Sequence, residues 1–202
     1  MCITYEVGAA LYVNVTNRCT NRCDFCIRNN GDGAYGSDSL WLTREPTAEE
    51  IISAVTASLA DKHTELVFCG YGEPSIRLPA IKEAVLALRK KGVTVPVRIN
   101  TNGHSDLIFG TDSTEYYRGV FDAVSISLNA PTPEKYEEIC HPVYKEITLD
   151  AILLFAKNVK KCVPNTYFSV VRQTISDSEL AQCKKIASEL GIPLRVREYI
   201  SD

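Results

Sequence analysis

The feature that most constrains this fold is a regular alternation of short apolar runs with longer amphipathic stretches. Leu11–Thr16, Glu65–Cys69, Pro96–Thr101, Ala123–Asn129, Tyr167–Arg172 and Leu194–Ile200 read as six strands. Thr47-Ala48-Glu49-Glu50 is a capping box opening a helix with Ile51, Ile52, Val55 and Leu59 on one face. A second helix begins near Pro79, carries Ile81, Val85 and Leu88, and stops before Gly92. Thr132-Pro133 places an N-cap before a proline at the first helical position, predicting a short helix to about Cys140. Thr148–Lys161 is amphipathic, and Asp177–Leu190 ends at Gly191 with Pro193 blocking continuation. Strands alternating with helices predict parallel βα units. The expected fold class is therefore α/β: a partial (β/α)6 barrel of parallel strands, with an open doubly wound sheet as the competing arrangement. No linker or repeat interrupts the pattern, so residues 1–202 are expected to form one domain, ending on the sixth strand.

The strand faces favour the barrel. Leu11, Val13 and Val15 alternate with Tyr12, Asn14 and Thr16; Val97 and Ile99 alternate with Arg98 and Asn100. Val124, Ile126 and Leu128 alternate with Ser125, Ser127 and Asn129, and Leu194 and Val196 with Arg195 and Arg197. A period of two puts each set on one face. If the apolar set packs under the helices, the polar set lines a lumen, and a polar lumen calls for a polar ligand. The other reading is a half-exposed sheet.

A formal net charge of −3 gives no electrostatic case for non-specific nucleic-acid binding. No apolar run reaches membrane-spanning length, and the first residues lack the basic start and apolar stretch of a signal peptide. A cytoplasmic location is expected.

Of eight cysteines, Cys19, Cys23 and Cys26 crowd into one loop directly after the first strand, where barrel active sites form. Cys2, Cys69, Cys140, Cys162 and Cys183 are scattered and read as small buried hydrophobes. Three thiolates at spacings of four and three residues can wrap one side of a cubane, leaving its fourth iron without a protein ligand. Structural zinc usually takes four ligands, and no second pair or nearby histidine completes this set. Electron-transfer ferredoxins likewise supply a fourth cysteine. A zinc site or a plain iron–sulfur carrier remains the alternative. His63, His104 and His141 show no ligand-like spacing.

Cys-x3-Cys-x-aromatic-Cys after a first barrel strand resembles the signature of the radical S-adenosylmethionine (SAM) superfamily. Gly70-Tyr71-Gly72-Glu73-Pro74 resembles its second motif, with Tyr71 in place of the usual glycine. The resemblance implies a [4Fe–4S] cluster on Cys19, Cys23 and Cys26, and SAM bound by Gly72, Glu73, Asn100, Ser127 and Asn129. In similar enzymes the second motif contacts the SAM amino group and the strand-four polar residues bond the ribose. Ser125 ranks below Ser127 and Asn129 because it lies farther from the strand's C-terminal end. Strand five lacks the glycine-rich pattern of many members, leaving Tyr199 and the backbone near Phe25 as candidate adenine contacts. Ile27–Gly33, Phe68–Pro74, Arg98–His104 and Arg195–Tyr199 together resemble the TatD-associated radical SAM family.

The implied activity is reductive cleavage of SAM to a 5′-deoxyadenosyl radical that abstracts hydrogen from an unidentified small molecule or peptide. An external one-electron reductant such as flavodoxin or ferredoxin is the expected partner. An activase that takes hydrogen from a glycine in a partner enzyme is an alternative. Arg98, Arg172, Arg195 and Arg197 could face the lumen and suit a carboxylate or phosphate. The loop Arg28–Leu42 could cap the substrate or merely connect elements, and Cys140 could serve as a hydrogen donor or as packing. No residue is assigned a catalytic role beyond the cofactors.

Overall fold

A computed structural model describes residues 1–199. It contains a seven-stranded sheet in sequential order: β1 Thr4–Val7, β2 Ala10–Val13, β3 Glu65–Phe68, β4 Val97–Thr101, β5 Ala123–Ser127, β6 Asn165–Val171 and β7 Leu194–Arg197. Strands β2 to β7 are all parallel to their neighbours. The edge strands are β1 and β7, so the sheet is a partial barrel, as expected for its class. Ile200, which the sequence places in the last strand, lies outside the described residues, as do the last two positions of the expected domain.

The sequence reading missed β1, which pairs antiparallel with β2 through the two-residue turn Gly8-Ala9. Gly8 has φ 58°, which only glycine adopts without strain. Four residues of alternation give too short a signal to register, but the strand adds Tyr5 to the inner face opposite Tyr12.

Helices follow the strands: α1 Ala48–Ser58, α2 Leu78–Lys90, α3 Ser105–Phe109, α4 Pro133–Cys140, α5 Leu149–Lys160 and α6 Asp177–Glu189. Thr47 and Glu50 form the expected capping box, and Thr132 caps α4 through the Lys135 amide. The short α3 was not foreseen. Leu11, Val13, Leu66, Phe68, Val97, Ile99, Val124, Ile126, Phe168 and Val170 pack outward against the helices in one buried core. The register puts Tyr12, Val67, Arg98, Ser125, Tyr167 and Arg195 on the opposite, inner face. The polar lumen read from the alternation is therefore present. A second small core of Tyr5, Ala34, Leu40 and Tyr71 seats the loop after η1, the 3-10 turn Ile27–Asn29. Among the described residues no helix is long and apolar enough to cross a membrane.

Candidate functional site

The C-terminal ends of the parallel strands surround one cavity of about 1160 Å³, its open mouth included. Cys19, Cys23 and Cys26 line it from the loop after β2, and Gly72 and Glu73 from the loop after β3. Asn100 lines it from β4, Ser127 and Asn129 from β5 and beyond, and Arg197 and Tyr199 from β7 and beyond. All eight residues assigned to the cluster and to SAM thus face the same space. Both adenine candidates, Phe25 and Tyr199, do so as well.

The cysteine loop is held from below by α4. The last carbonyls of a helix have no partner within it, and here Cys140 O accepts from Arg22 N at 2.9 Å and Ile139 O from Asp24 N at 3.1 Å. His141 Nε2 adds a 2.8 Å contact to Asp24 Oδ1. A buried polar network secures the other flank. Asn21 Nδ2 donates to Tyr136 Oη at 2.8 Å, and Tyr136 Oη lies 2.9 Å from His104 Nε2. His104 Nδ1 lies 2.7 Å from Thr20 Oγ1, which also accepts from Asn102 Nδ2 at 2.8 Å. Burial pushes the His104 imidazole down to about 3, so the ring is neutral and can donate through one nitrogen while accepting through the other. No local spacing marks His104, because its partners lie 84 and 32 residues away in sequence.

All three cysteine thiols are pushed above the ordinary thiol range. Burial, reinforced by the nearby Glu73 carboxylate, pushes the Cys19 thiol up to about 12. Cys23 is raised by a hydrogen bond with Cys140 and then by burial, and Cys26 by burial. The Arg28 guanidinium acts in the opposite sense on all three. A metal or cluster bound through these thiols would displace their protons. Among the described residues, no three Cys, His, Asp or Glu side chains gather around a point as ligands of one ion would. A zinc ion needs its donors on one centre, whereas a cubane takes each thiolate on a different iron. Three thiols that open on one cavity fit the cluster.

The SAM-assigned residues also fit a polar ligand. Asn129 sits at φ 58°, is 3% exposed, and directs Nδ2 to Cys140 Sγ at 3.6 Å. Among the described residues its Oδ1 has no partner, and neither has Asn21 Oδ1; both residues line the cavity. Buried acceptors left open are costly unless a ligand supplies the donor, and ribose hydroxyls are donors of that kind. Gly72 has no room for a side chain: a Cβ would stand 2.4 Å from Thr16 O and 2.5 Å from Arg18 O. Glu73 has a different surrounding from the one its charge suggested. Its Oε1 accepts from Ser75 N at 3.0 Å and Thr101 Oγ1 at 2.7 Å, and Oε2 from Asn102 N at 2.7 Å. The carboxylate thus joins the loop after β3 to the end of β4. Burial raises its pKa in spite of those donors. Asn100 Oδ1 accepts from Arg98 Nη1 at 2.5 Å, and the same side chain reaches Cys69.

The structure separates the residues that the sequence left open. Cys69 is not mere packing: it lines the cavity at the end of β3, where Tyr5 Oη donates to its carbonyl at 3.1 Å. Cys140 is fully buried behind the cysteine loop and does not line the cavity, so it is not placed to give hydrogen to a bound molecule. Ser125 is buried and also does not line the cavity. Of the four arginines, Arg98 forks onto Glu65, Arg172 pairs with Asp177, and Arg195 stacks 3.6 Å over the Tyr167 ring. Only Arg197 of the four lines the cavity. Tyr71, the departure from the double-glycine motif, is 2% exposed, and its hydroxyl lies 2.7 Å from Gly31 O and 2.9 Å from Gly33 O. It pins the Arg28–Leu42 loop, whose Ala34, Tyr35 and Leu40 line the cavity.

The sheet and the site together define a barrel enzyme with a cysteine loop at its mouth. Residues 13–185 match the model of the Radical SAM superfamily, and the chain belongs to that superfamily, whose enzymes use a [4Fe–4S] cluster and SAM. Solved structures share the fold at low identity. A radical SAM methyltransferase from Sphaerobacter thermophilus is 17% identical with TM-score 0.69, over 96% of this chain and 68% of that one. Streptococcus suis SuiB bound to the precursor peptide SuiA is 16% identical with TM-score 0.66, over 93% and 38%. The anSMEcpe protein with bound AdoMet is 18% identical with TM-score 0.65, over 94% and 50%. The chain thus spans half or less of the last two. No curated protein sequence matches it.

Proposed function

We propose that Cys19, Cys23 and Cys26 hold the cluster and that Gly72, Glu73, Asn100, Ser127 and Asn129 surround SAM, in an enzyme of the TatD-associated branch. The single observation that carries this reading is that all eight residues line one cavity at the strand ends. When bound, cluster and SAM supply a 5′-deoxyadenosyl radical able to abstract hydrogen.

The chain's own residues do the rest. The Gly72 backbone permits close approach, and Glu73 fixes that backbone through Asn102 and Thr101. Asn129 Oδ1 and Asn21 Oδ1 offer acceptors to hydroxyl or ammonium donors. The Arg28–Leu42 loop, pinned by Tyr71, shields the cavity from bulk water. A flavodoxin or ferredoxin supplies the electron, and the hydrogen donor is a small molecule or a peptide.

The test is anaerobic reconstitution, iron and sulfide analysis, and assay for 5′-deoxyadenosine with a chemical reductant. The expected result is one cluster per chain and reductant-dependent 5′-deoxyadenosine. Cys23→Ala should lose cluster and cleavage together; retained cleavage would defeat the ligand assignment. Adding source-cell extract split by size separates a small-molecule acceptor from a partner enzyme carrying a glycyl radical site.

A further inference from the structure

The lining of the cavity extends past the residues assigned to the cluster and to SAM. Beyond the cluster and SAM residues its lining includes Tyr12, Tyr35, Cys69, Arg197, Glu198 and Tyr199, with the Glu198 carboxylate accepting from Gln173 Nε2 at 2.5 Å. Arg197 is the only cationic side chain lining it among the described residues. It stands opposite Val171 in the β6–β7 register, on the inner face, and makes no hydrogen bond or ion pair among the described residues. Its charge reaches both Cys69 and Tyr35, where it works against the effect of burial. Arg28, by contrast, is the cation bearing on all three cluster cysteines.

Tyr35 is held in a conformation that a bulky residue rarely adopts, with φ 55°. That backbone costs free energy and persists only where the surroundings enforce it. Here Ser37 N donates to Ala34 O at 3.0 Å, Ala34 is buried, and Tyr71 fixes the Gly31 and Gly33 carbonyls. Across the mouth, Tyr199 Oη bonds Asn30 Oδ1 at 3.0 Å, joining the end of β7 to the same loop. The tyrosine rings and a guanidinium with no partner among the described residues therefore share one end of the cavity.

We propose that Arg197 is the substrate anchor of this enzyme and that it binds a carboxylate, with Tyr12, Tyr35 and Tyr199 packing on the body of the same molecule. The proposal rests on the radical SAM reading above and adds the class of substrate. A guanidinium presents a planar fork of donors that matches a carboxylate in charge and shape. A phosphate, with close to two charges, would call for a second cation, and none lines the cavity among the described residues. Tyrosine rings give an apolar or aromatic body contact area with little entropy lost.

The test uses the native, reconstituted protein and follows modification of each arginine by phenylglyoxal, read by peptide mass spectrometry. The probes are benzoate, inorganic phosphate and chloride at equal ionic strength, with exposed Arg22 as the internal reference. With SAM bound, Arg197 should still react, and benzoate at a few times its dissociation constant should slow it about fivefold. Chloride should not slow it, and phosphate should protect less than benzoate. Protection of Arg197 by SAM alone would assign the guanidinium to the cofactor's own carboxylate and overturn the proposal. So would stronger protection by phosphate, or none by benzoate while SAM binds normally. A reconstituted protein that binds no SAM would instead strike the parent reading, and the two failures are told apart by measuring SAM binding on the same sample.

Discussion

Glu73 Oε2 accepts the backbone amide of Asn102 at 2.7 Å, and this bond ties the loop after β3 to the strand end that supports the cysteine loop. Asn102 in turn reaches Thr20 through its side chain, one residue from Cys19. Glu73→Gln keeps an acceptor for Ser75 and Thr101 but turns an NH2 group toward the Asn102 N–H. A buried donor without a partner costs about 1–3 kcal/mol. The urea midpoint should fall accordingly, and amide exchange at Asn102 should speed up. An unchanged exchange rate there would show that the carboxylate is not the Asn102 partner.

Gly72→Ala should be damaging for a steric reason. The new Cβ would press on two backbone carbonyls, Thr16 O and Arg18 O, which cannot step aside as a flexible side chain can. Overpacking of this kind costs about 1–3 kcal/mol. The displaced backbone leads into Cys19, so iron uptake on reconstitution should drop too. Gly31→Ala is the control, since a Cβ there meets nothing within 4 Å. It should stay within about 0.5 kcal/mol of the parent.

Tyr71→Phe removes the hydroxyl that serves the Gly31 and Gly33 carbonyls while keeping the ring in its small core. The expected loss is about 1 kcal/mol. It should be local: limited proteolysis should find new cleavage between residues 31 and 39, with the cleavage pattern elsewhere unchanged. Uniform sensitivity along the chain would mean that Tyr71 supports the whole fold and not the loop.

Acid should destabilise the chain through His104. Its folded pKa, lowered by burial to about 3, lies below the unfolded value of 6.5, so the unfolded chain binds the extra proton between those limits. Stability from this group is complete above about pH 6.5. It falls with decreasing pH by at most about 1.4 kcal/mol per unit until pH 3 is approached. His104→Asn should be less stable at neutral pH but show a flatter slope over this window in denaturant titrations. An equally steep slope in the variant would place the titration elsewhere.

Much of this architecture was legible in the residues themselves. Period-two alternation in Val97–Thr101 and Ala123–Ser127 separated the helix-facing side from the lumen side, because burial on one face of a strand requires that pattern. The capping box at Thr47 and the proline after Thr132 located helix starts through purely local bonding. Strand β1 escaped because four residues carry little periodicity, and its reason for being a strand is the edge of β2 it pairs with. Cys69 escaped because a lone cysteine in an apolar run looks the same whether it faces helices or a cavity; only the register with Val13 and Ile99 on the outer face settles it.

The sequence by itself determined the chemistry available: three cysteines spaced for a cluster, a glycine-rich loop after a strand, and strands with one polar face. These are local properties, fixed by spacing along the chain. Tertiary structure alone decided which groups remain free to act. Arg98, Arg172, Arg195 and Arg197 look alike in sequence, yet three are engaged by Glu65, Asp177 and the Tyr167 ring while the fourth lines the cavity with no partner among the described residues. Whether a charge is neutralised depends on what folding brings within a few ångströms of it, and that distance is not written in any one segment.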